Sequence, residues 1–183
     1  MTYILGFAGS NSSTSINYSL VKFTEGLIDV LPVKLMDMAQ CPFPMYSEDH
    51  EREKGFSNAL REIKGDIQEA NGLIISVNEH NGAPSAYFKN LMDWLSRLDR
   101  KFIEGKKILL MATSGGKRGA MGSLGSAEEM LRRFGAEVTS TFSLPLYYDH
   151  FNDAEGIMDE NLSQEHERAI KTFLGAVAPE NKS

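Results

Sequence analysis

The chain of 183 residues has a single cysteine, Cys41, so it cannot form an intrachain disulfide or a zinc site built from several thiolates. Its four histidines, at positions 50, 80, 150 and 166, lie at none of the spacings typical of metal ligands. The G-x-S-x-G motif of serine hydrolases is also absent. These absences argue against hydrolase chemistry, and we expect no metal site.

Positive charge is also scarce, because 19 Lys and Arg stand against 25 Asp and Glu and leave a net charge of −6. Nucleic acids and anionic membranes are bound by clustered cations, so we expect neither as a partner. No apolar run approaches the roughly 18 residues of a transmembrane helix, and the first ten residues lack the basic segment of a signal peptide. We therefore expect a cytoplasmic protein.

Short apolar runs alternate along the chain with longer stretches in which apolar residues recur every three or four positions. The runs predict five strands, at Tyr3–Ala8, Val33–Asp37, Leu73–Val77, Lys107–Thr113 and Glu137–Phe142. The three-and-four spacing between them predicts helices. Strands that alternate with helices form a parallel sheet with helices on both faces, so the pattern predicts one doubly wound α/β domain over residues 1–183.

Several short segments give further predictions about where the helices and irregular regions lie. The first helix is expected to bury Leu27 on its inner face, and Pro84 is expected at the start of a helix. Residues 40–54 are expected to be irregular, with Glu48 and Asp49 in a solvated turn. Later helices are expected near Ser126–Arg133 and over Leu162–Leu174.

Three loops follow predicted strands at the sheet edge where doubly wound proteins bind ligands. The first loop, Gly9–Asn17, is rich in hydroxyl and amide side chains and leads into a helix, whose free N–H groups favour phosphate. It has neither a P-loop lysine nor the G-x-G-x-x-G spacing of dinucleotide folds. A plain N-cap followed by a surface turn is the alternative interpretation.

The second and third loops also carry polar or small residues. The second loop, Asn78–Gly82, offers amide, carboxylate and imidazole groups to a planar ring, although His80 could be an ordinary surface histidine and Asn81–Gly82 a simple turn with positive φ. The third loop, Thr113–Gly119, is glycine-rich and would allow close approach of a ligand. Its Lys117–Arg118 pair could contact a cofactor or dinucleotide phosphate, or remain solvated.

Together the three loops resemble those of the NAD(P)H-dependent FMN reductase family, which has the flavodoxin-like fold with strand order 2-1-3-4-5. Gly9–Asn17 is similar to that family's G-S-x-R-x-x-S-x-N motif, with Ser12 in place of the arginine. Asn78–Gly82, followed by Lys89–Trp94, resembles P-E-Y-N-G followed by K-N-x-x-D-W. Asn78 replaces the proline of that pattern and His80 replaces its tyrosine.

The resemblance implies a non-covalent FMN that takes a hydride at N5 from NAD(P)H and passes electrons to a flavin, quinone, azo compound or metal oxyanion. It also implies a homodimer or homotetramer. The implied phosphate-binding residues are Ser10, Ser12, Ser15, Ile16 and Asn17. The implied ring-binding residues are Asn78, Glu79, His80, Asn81 and Gly82 on one side and Ser114, Gly115 and Gly116 on the other. No catalytic residue is assigned, and His80 is the candidate proton donor.

Two other interpretations remain open from the sequence. A flavodoxin-like electron carrier or flavin-binding module would not use NAD(P)H directly, and a net charge of −6 would suit basic redox partners. A flavin-free descendant is the other, because Ser12 removes a charge-assisted phosphate contact of roughly 1.5–3 kcal/mol. The aromatic group Tyr147, Tyr148 and Phe151 could line a substrate pocket or pack at an interface.

Overall fold

A computed structural model describes residues 2–177. Its strands are β1 (Ile4–Ala8), β2 (Val33–Met36), β3 (Gly72–Val77), β4 (Lys107–Thr113) and β5 (Glu137–Leu144), with two short hairpins at Glu79–Pro84 and Phe151–Ile157. Its helices are α1 (Ile16–Gly26), α2 (Glu48–Lys54), α3 (Asn58–Glu69), α4 (Ala86–Leu98), α5 (Met121–Arg133), α6 (Tyr147–His150) and α7 (Glu160–Val177).

The five strands form one parallel sheet in the order β2-β1-β3-β4-β5. Strand β1 pairs with both β2 and β3, β3 pairs with β4, and β4 pairs with β5. This order confirms the predicted doubly wound, flavodoxin-like topology. It places the reversal of strand order between β1 and β3, where doubly wound sheets leave a crevice at the carboxyl ends of their strands.

Burial of the sheet on both faces explains why its central strands read as unbroken apolar runs. Leu5 and Phe7 of β1 pack into one core with α3, α4 and α5, whereas Ile4 packs into a second core with α1 and α7. All six residues of β3 are buried. The helix faces with three-and-four spacing are therefore the faces that cover this sheet.

Two predictions near the second strand are wrong. Leu27 lies beyond the end of α1 and is 47% exposed. Glu48 and Asp49 are exposed as predicted, but they form the first turn of the helix α2 rather than part of an irregular segment. Ser47 Oγ accepts a hydrogen bond from His50 N at 3.1 Å, and acidic residues are favourable at a helix N-terminus. Since α2 buries no residue, it has no apolar stripe that would have predicted it.

Three helix starts also differ from prediction. Pro84 lies in the Glu79–Pro84 hairpin, and α4 begins after Ser85, whose Oγ accepts from Phe88 N at 3.1 Å. Helix α5 begins at Met121, well before Ser126. Helix α7 covers the predicted Leu162–Leu174 and extends beyond it at both ends. Within residues 2–177, no helix is both long and apolar enough to span a bilayer.

A buried histidine links α7 to α1 on the second face of the sheet. His166 is 1% exposed, its ring lies 5.7 Å from the Phe23 ring, and its Nε2 lies 2.9 Å from Thr24 Oγ1. Because the Thr24 hydroxyl already donates to the Leu20 carbonyl at 2.8 Å, His166 Nε2 is the donor in its contact with Thr24. Burial lowers the pKa of His166 to about 4, so the ring is neutral in the folded protein at neutral pH.

We expect His166 to make stability fall as the solution is acidified from about pH 6.5 to pH 4. An unfolded histidine titrates near pH 6.5, whereas folded His166 titrates near 4, so the unfolded state binds one more proton in this window. The free energy of unfolding is therefore lower by roughly 3 kcal/mol at pH 4, and this loss is absent well above pH 6.5. Urea unfolding of the wild type and of His166→Gln across this range should show the extra slope in the wild type alone. The exposed His80→Gln is the control, and equal slopes in wild type and His166→Gln would contradict the assignment.

Candidate functional site

A cavity of about 300 Å³ lies at the carboxyl ends of β1, β3 and β4, at the reversal of strand order. We call it the switch-point cavity. Ten of the predicted site residues line it: Ser10, Ser12, Ser15, Ile16, Asn17, Asn78, Glu79, His80, Ser114 and Gly115. The predicted residues Asn81, Gly82 and Gly116 do not line it. Three residues outside the predicted set complete the wall: Thr14, Thr113 and Tyr148.

The N-terminus of α1 supplies free hydrogen-bond donors to this cavity. Ser15 is its N-cap, and its Oγ accepts from Tyr18 N at 3.3 Å. The next two amides, of Ile16 and Asn17, donate to no atom among residues 2–177. Unpaired amides and the partial positive charge of a helix N-terminus together favour an anion at this end of the cavity.

Hydroxyl groups of the first loop line the same cavity as these amides. Ser10 Oγ accepts from Ser12 N at 3.3 Å, and Ser12 Oγ accepts from Thr14 N at 3.3 Å, so the loop is shaped by its own side chains. Ser12 and Thr14 are nonetheless exposed, with their hydroxyl oxygens 3.3 Å apart. The first loop therefore offers hydroxyl donors beside the amides but no cation.

The Asn17 side chain faces inward rather than towards a ligand. It is 1% exposed, its Oδ1 accepts from Thr113 N at 3.0 Å and from Ser76 Oγ at 2.7 Å, and its Nδ2 donates to the Thr113 carbonyl at 3.1 Å. This amide ties α1 to β3 and β4. Only the main chain of Asn17 remains for the predicted phosphate contact.

The second loop belongs to the Glu79–Pro84 hairpin, whose turn has φ of 55° at Asn81 and 80° at Gly82. Positive φ at both central residues is the type I′ geometry that Asn-Gly favours. Neither residue of this turn is part of the cavity wall. The simple-turn interpretation of Asn81–Gly82 is therefore confirmed for their backbone.

Glu79 holds the second loop against the N-terminus of α5. Its Oε2 accepts from Ser123 N at 3.0 Å, while Ser123 Oγ donates to the Asn78 carbonyl at 2.8 Å. Ala120 provides no side-chain cap for α5, so Glu79 caps this helix from another loop. A Cβ on Gly122 would lie 2.8 Å from the Gly82 carbonyl oxygen, so this close approach requires glycine. The cap explains why α5 begins earlier than its own sequence predicts.

Asn78 and His80 line the cavity from the second loop. Asn78 Nδ2 lies 3.3 Å from His80 Nε2, and the His80 side chain is exposed. Asn78 Oδ1 is buried and accepts no hydrogen bond from residues 2–177. A buried acceptor without a donor is uncommon in folded proteins, and here it stands beside a cavity that a donor could enter.

The third loop is hydrogen-bonded to the start of α6. Tyr147 N donates to the Ser114 carbonyl and Leu146 N donates to the Gly116 carbonyl, each at 3.1 Å. Tyr148 then lies on the cavity rim with 75% of its surface exposed, and a Cβ on Gly115 would be 3.3 Å from its ring. Of the aromatic group, Tyr148 lies at this pocket, whereas Tyr147 and Phe151 are buried in the second core. Packing at a subunit interface stays a prediction. The position of Tyr148 after β5 was the sequence signal that could have assigned it to this edge.

The K-N-x-x-D-W segment does not line the cavity. Asn90 Oδ1 accepts from Tyr46 N at 2.8 Å, and Trp94 Nε1 donates to the Pro44 carbonyl at 2.8 Å. Lys89 Nζ forms an ion pair with Asp93 at 2.6 Å on the exposed face of α4. This motif therefore anchors the irregular segment before α2. It stabilises the fold around the site but contributes no residue to the cavity wall.

Within residues 2–177, no three His, Cys, Asp or Glu side chains lie together as metal ligands would. The expected absence of a metal site stays a prediction about the functional protein.

Comparisons with known proteins agree with this architecture. The quinone reductase of Escherichia coli K12 is 34% identical over 84 residues, which cover 46% of this chain and 42% of the relative. An NAD(P)H-dependent FMN reductase of Pseudomonas aeruginosa is 29% identical over 117 residues, which cover 63% of this chain and 62% of the relative. These matches span less than two thirds of either relative.

Solved structures show the same fold. The flavoenzyme NAD(P)H:acceptor oxidoreductase of Paracoccus denitrificans superimposes with a TM-score of 0.78 over 97% of both chains at 19% identity. At this identity the likeness concerns the fold alone. The family whose description is NADPH-dependent FMN reductase matches residues 2–149, which is most of the sequence. On this match, and with the predicted sheet order and loops in place, the chain belongs to the NADPH-dependent FMN reductase family.

Proposed function

We propose that this protein is an oxidoreductase that binds FMN non-covalently in the switch-point cavity and transfers electrons from NAD(P)H to a small acceptor. The acceptor class is a flavin, quinone, azo compound or metal oxyanion. One observation carries the proposal: the free amides of Ile16 and Asn17 open into a cavity whose other walls are the second and third loops.

The residues present fit the two ends of FMN. The amides of α1 and the hydroxyls of Ser10, Ser12 and Ser15 suit a phosphate, and Thr14 adds another hydroxyl. The side of the cavity lined by Asn78 and Gly115 suits a flat ring, because Gly115 has no side chain to obstruct it and Asn78 Oδ1 lacks a donor. FMN would provide both a phosphate for the first site and ring N–H groups for the second.

When bound, FMN supplies a ring nitrogen, N5, that accepts a hydride, and a ring that gives up electrons to an acceptor. The chain's own residues bind and orient it. Asn17 fixes the phosphate site relative to β4, and the Glu79–Ser123 hydrogen bond fixes the second loop relative to α5. His80 is proposed to donate a proton to the acceptor, since its imidazole is exposed at the cavity. Tyr148 covers the open rim.

The homodimeric or homotetrameric state and the cytoplasmic location stay predictions. Both follow from family resemblance and composition rather than from contacts between subunits.

The first test is titration of the purified apoprotein with FMN and with riboflavin, followed by flavin fluorescence. Because the α1 amides and loop hydroxyls are proposed to bind phosphate, FMN should bind with one molecule per chain and at least about tenfold more tightly than riboflavin. Absence of saturable binding at tens of micromolar FMN would overturn the proposal. Anaerobic NADPH should then bleach the bound flavin; bleaching by dithionite but not by NADPH or NADH would favour the electron carrier instead.

Restoring the arginine that the family motif has at position 12 should strengthen FMN binding. Ser12→Arg places a cation beside the α1 amides and should lower the dissociation constant for FMN about tenfold, because a charge-assisted hydrogen bond contributes roughly 1.5–3 kcal/mol. Riboflavin affinity should not change. Ser13→Arg is the matched control, since Ser13 is exposed in the same loop but does not line the cavity. Equal gains in both variants would mean that the phosphate lies elsewhere.

His80→Phe should slow acceptor reduction while leaving FMN bound. Phenylalanine keeps a flat ring at the rim but removes the proton that imidazole could donate, so we expect about a tenfold or larger loss in the rate of the acceptor half-reaction. Bleaching of the flavin by NADPH should proceed at the wild-type rate. Stopped-flow measurement of the two half-reactions separates these effects, and an unchanged acceptor rate would remove His80 from this role.

A further inference from the structure

A second and larger cavity lies on the other side of the third loop. It is a groove of about 690 Å³ along the edge strand β5, with α5 on one wall and α7 on the other. We call it the β5 groove. Lys117, Arg118 and Arg168 line it, and Glu165 is its acidic residue. Lys117 and Arg118 enter from the third loop, whereas Arg168 enters from α7.

These three cations are not neutralised by the protein. None of them lies within ion-pair distance of an acidic group among residues 2–177, although nine other Lys and Arg residues do. The chain as a whole carries a net charge of −6. Three unpaired cations that converge on one groove of an acidic protein create a local site for an anion.

The third loop connects this groove to the switch-point cavity. Ser114 and Gly115 line the cavity, and Lys117 and Arg118 line the groove. Two residues lie between Ser114 and Lys117, so three Cα-to-Cα steps place their Cα atoms at most about 11 Å apart. One ligand that occupies both sites would need a flat ring at one end and an anionic group at the other.

The backbone of this loop is held in place. Its carbonyls at Ser114 and Gly116 accept hydrogen bonds from amides at the start of α6, and Ser143 Oγ of β5 donates to the Gly119 carbonyl at 2.8 Å. A Cβ on Gly119 would lie 2.3 Å from Ser143 Oγ, so the loop could not pack here with a larger residue. The two cations of the loop are therefore presented to the groove from a fixed backbone.

The groove also has an apolar wall and hydroxyl groups. Met121, which is 56% exposed, and Leu124 lie along α5, and the exposed Thr141 lies on β5. An exposed methionine can pack against the face of a purine, because its side chain is flexible and its sulfur is polarizable. The wall therefore suits a nucleoside placed beside the anionic group.

We propose that the β5 groove binds the adenosine end of a nicotinamide dinucleotide and that Lys117, Arg118 and Arg168 bind its phosphate. This inference rests on the proposed function, in which the nicotinamide meets the switch-point cavity. The phosphate could be the 2′-phosphate, which distinguishes NADPH from NADH, or the pyrophosphate that both share. A 2′-phosphate places two negative charges on one phosphorus, whereas each phosphorus of the pyrophosphate carries one, so three cations in one groove favour the 2′-phosphate and thus a preference for NADPH.

The inference is tested by calorimetric titration of the purified protein with two adenosine fragments, 2′,5′-ADP and 5′-ADP. The test variant carries Lys117→Gln, Arg118→Gln and Arg168→Gln together. Arg100→Gln is the control for lost charge, because Arg100 is exposed, has no ion-pair partner among residues 2–177 and lies before β4, at the opposite end of the strands.

The wild type should bind 2′,5′-ADP at least about tenfold more tightly than 5′-ADP. The test variant should lose at least about tenfold in affinity for 2′,5′-ADP, whereas Arg100→Gln should stay within about twofold of the wild type. Equal affinity for both fragments, lost in the test variant, would also support the groove but would assign it to the pyrophosphate. Failure of the wild type to bind either fragment, or unchanged binding in the test variant, would overturn the inference.

Fragment binding needs no flavin and no turnover, so it fails independently of the proposed function. If 2′,5′-ADP binds at the groove while the FMN titration shows no binding, the inference about the groove is supported and the reductase function is overturned. If FMN binds and NADPH bleaches it equally well in wild type and test variant, the reductase function is supported and the inference about the groove is overturned. Unchanged melting of the test variant would show that its lost cations do not act through folding.

Discussion

The buried amide of Asn17 is the contact on which the rest of the site depends. It joins the first turn of α1 to Ser76 at the end of β3 and to Thr113 at the end of β4, so one side chain sets the spacing between three walls of the cavity. A buried amide that satisfies its neighbours in this way cannot be replaced without leaving polar groups unpaired, at a cost of about 1–3 kcal/mol each. The unpaired amides of α1 face the cavity because Asn17 holds the helix in this position.

A second set of contacts links loops that are far apart in the chain. Glu79 caps α5, Ser123 donates to the Asn78 carbonyl, and Leu146 and Tyr147 donate to the third loop. The second and third loops are thus held in place by segments distant in the chain, in addition to their own local contacts. The start of α5 lies beside both the second loop, where the FMN ring is proposed to bind, and the β5 groove. The contacts that hold the second and third loops therefore also position the loop that carries Lys117 and Arg118.

Much of the fold was predictable because both periodicities were strong. Apolar runs such as Leu73–Val77 identified the strands, and the resemblance to a known family supplied their order, which pairing of the strands confirms. Helix α2 was missed because it buries nothing, and the start of α5 because its cap comes from Glu79. The K-N-x-x-D-W segment indicated the right family, although its residues do not line the cavity. Asn90 and Trp94 instead form hydrogen bonds with the main chain at Tyr46 and Pro44.

The sequence by itself determined the class of fold, the three loops and most of the residues around the cavity, because these depend on local composition and on periodic burial. Only the tertiary structure decided which atoms face a ligand. It turned the Asn17 side chain inward, left the Asn78 oxygen without a donor, removed Asn81 and Gly82 from the wall and brought Tyr148 to the rim. It also brought Arg168 of α7 to Lys117 and Arg118. Side-chain direction and the meeting of distant segments are set by packing across the sheet, which no local pattern of residues records.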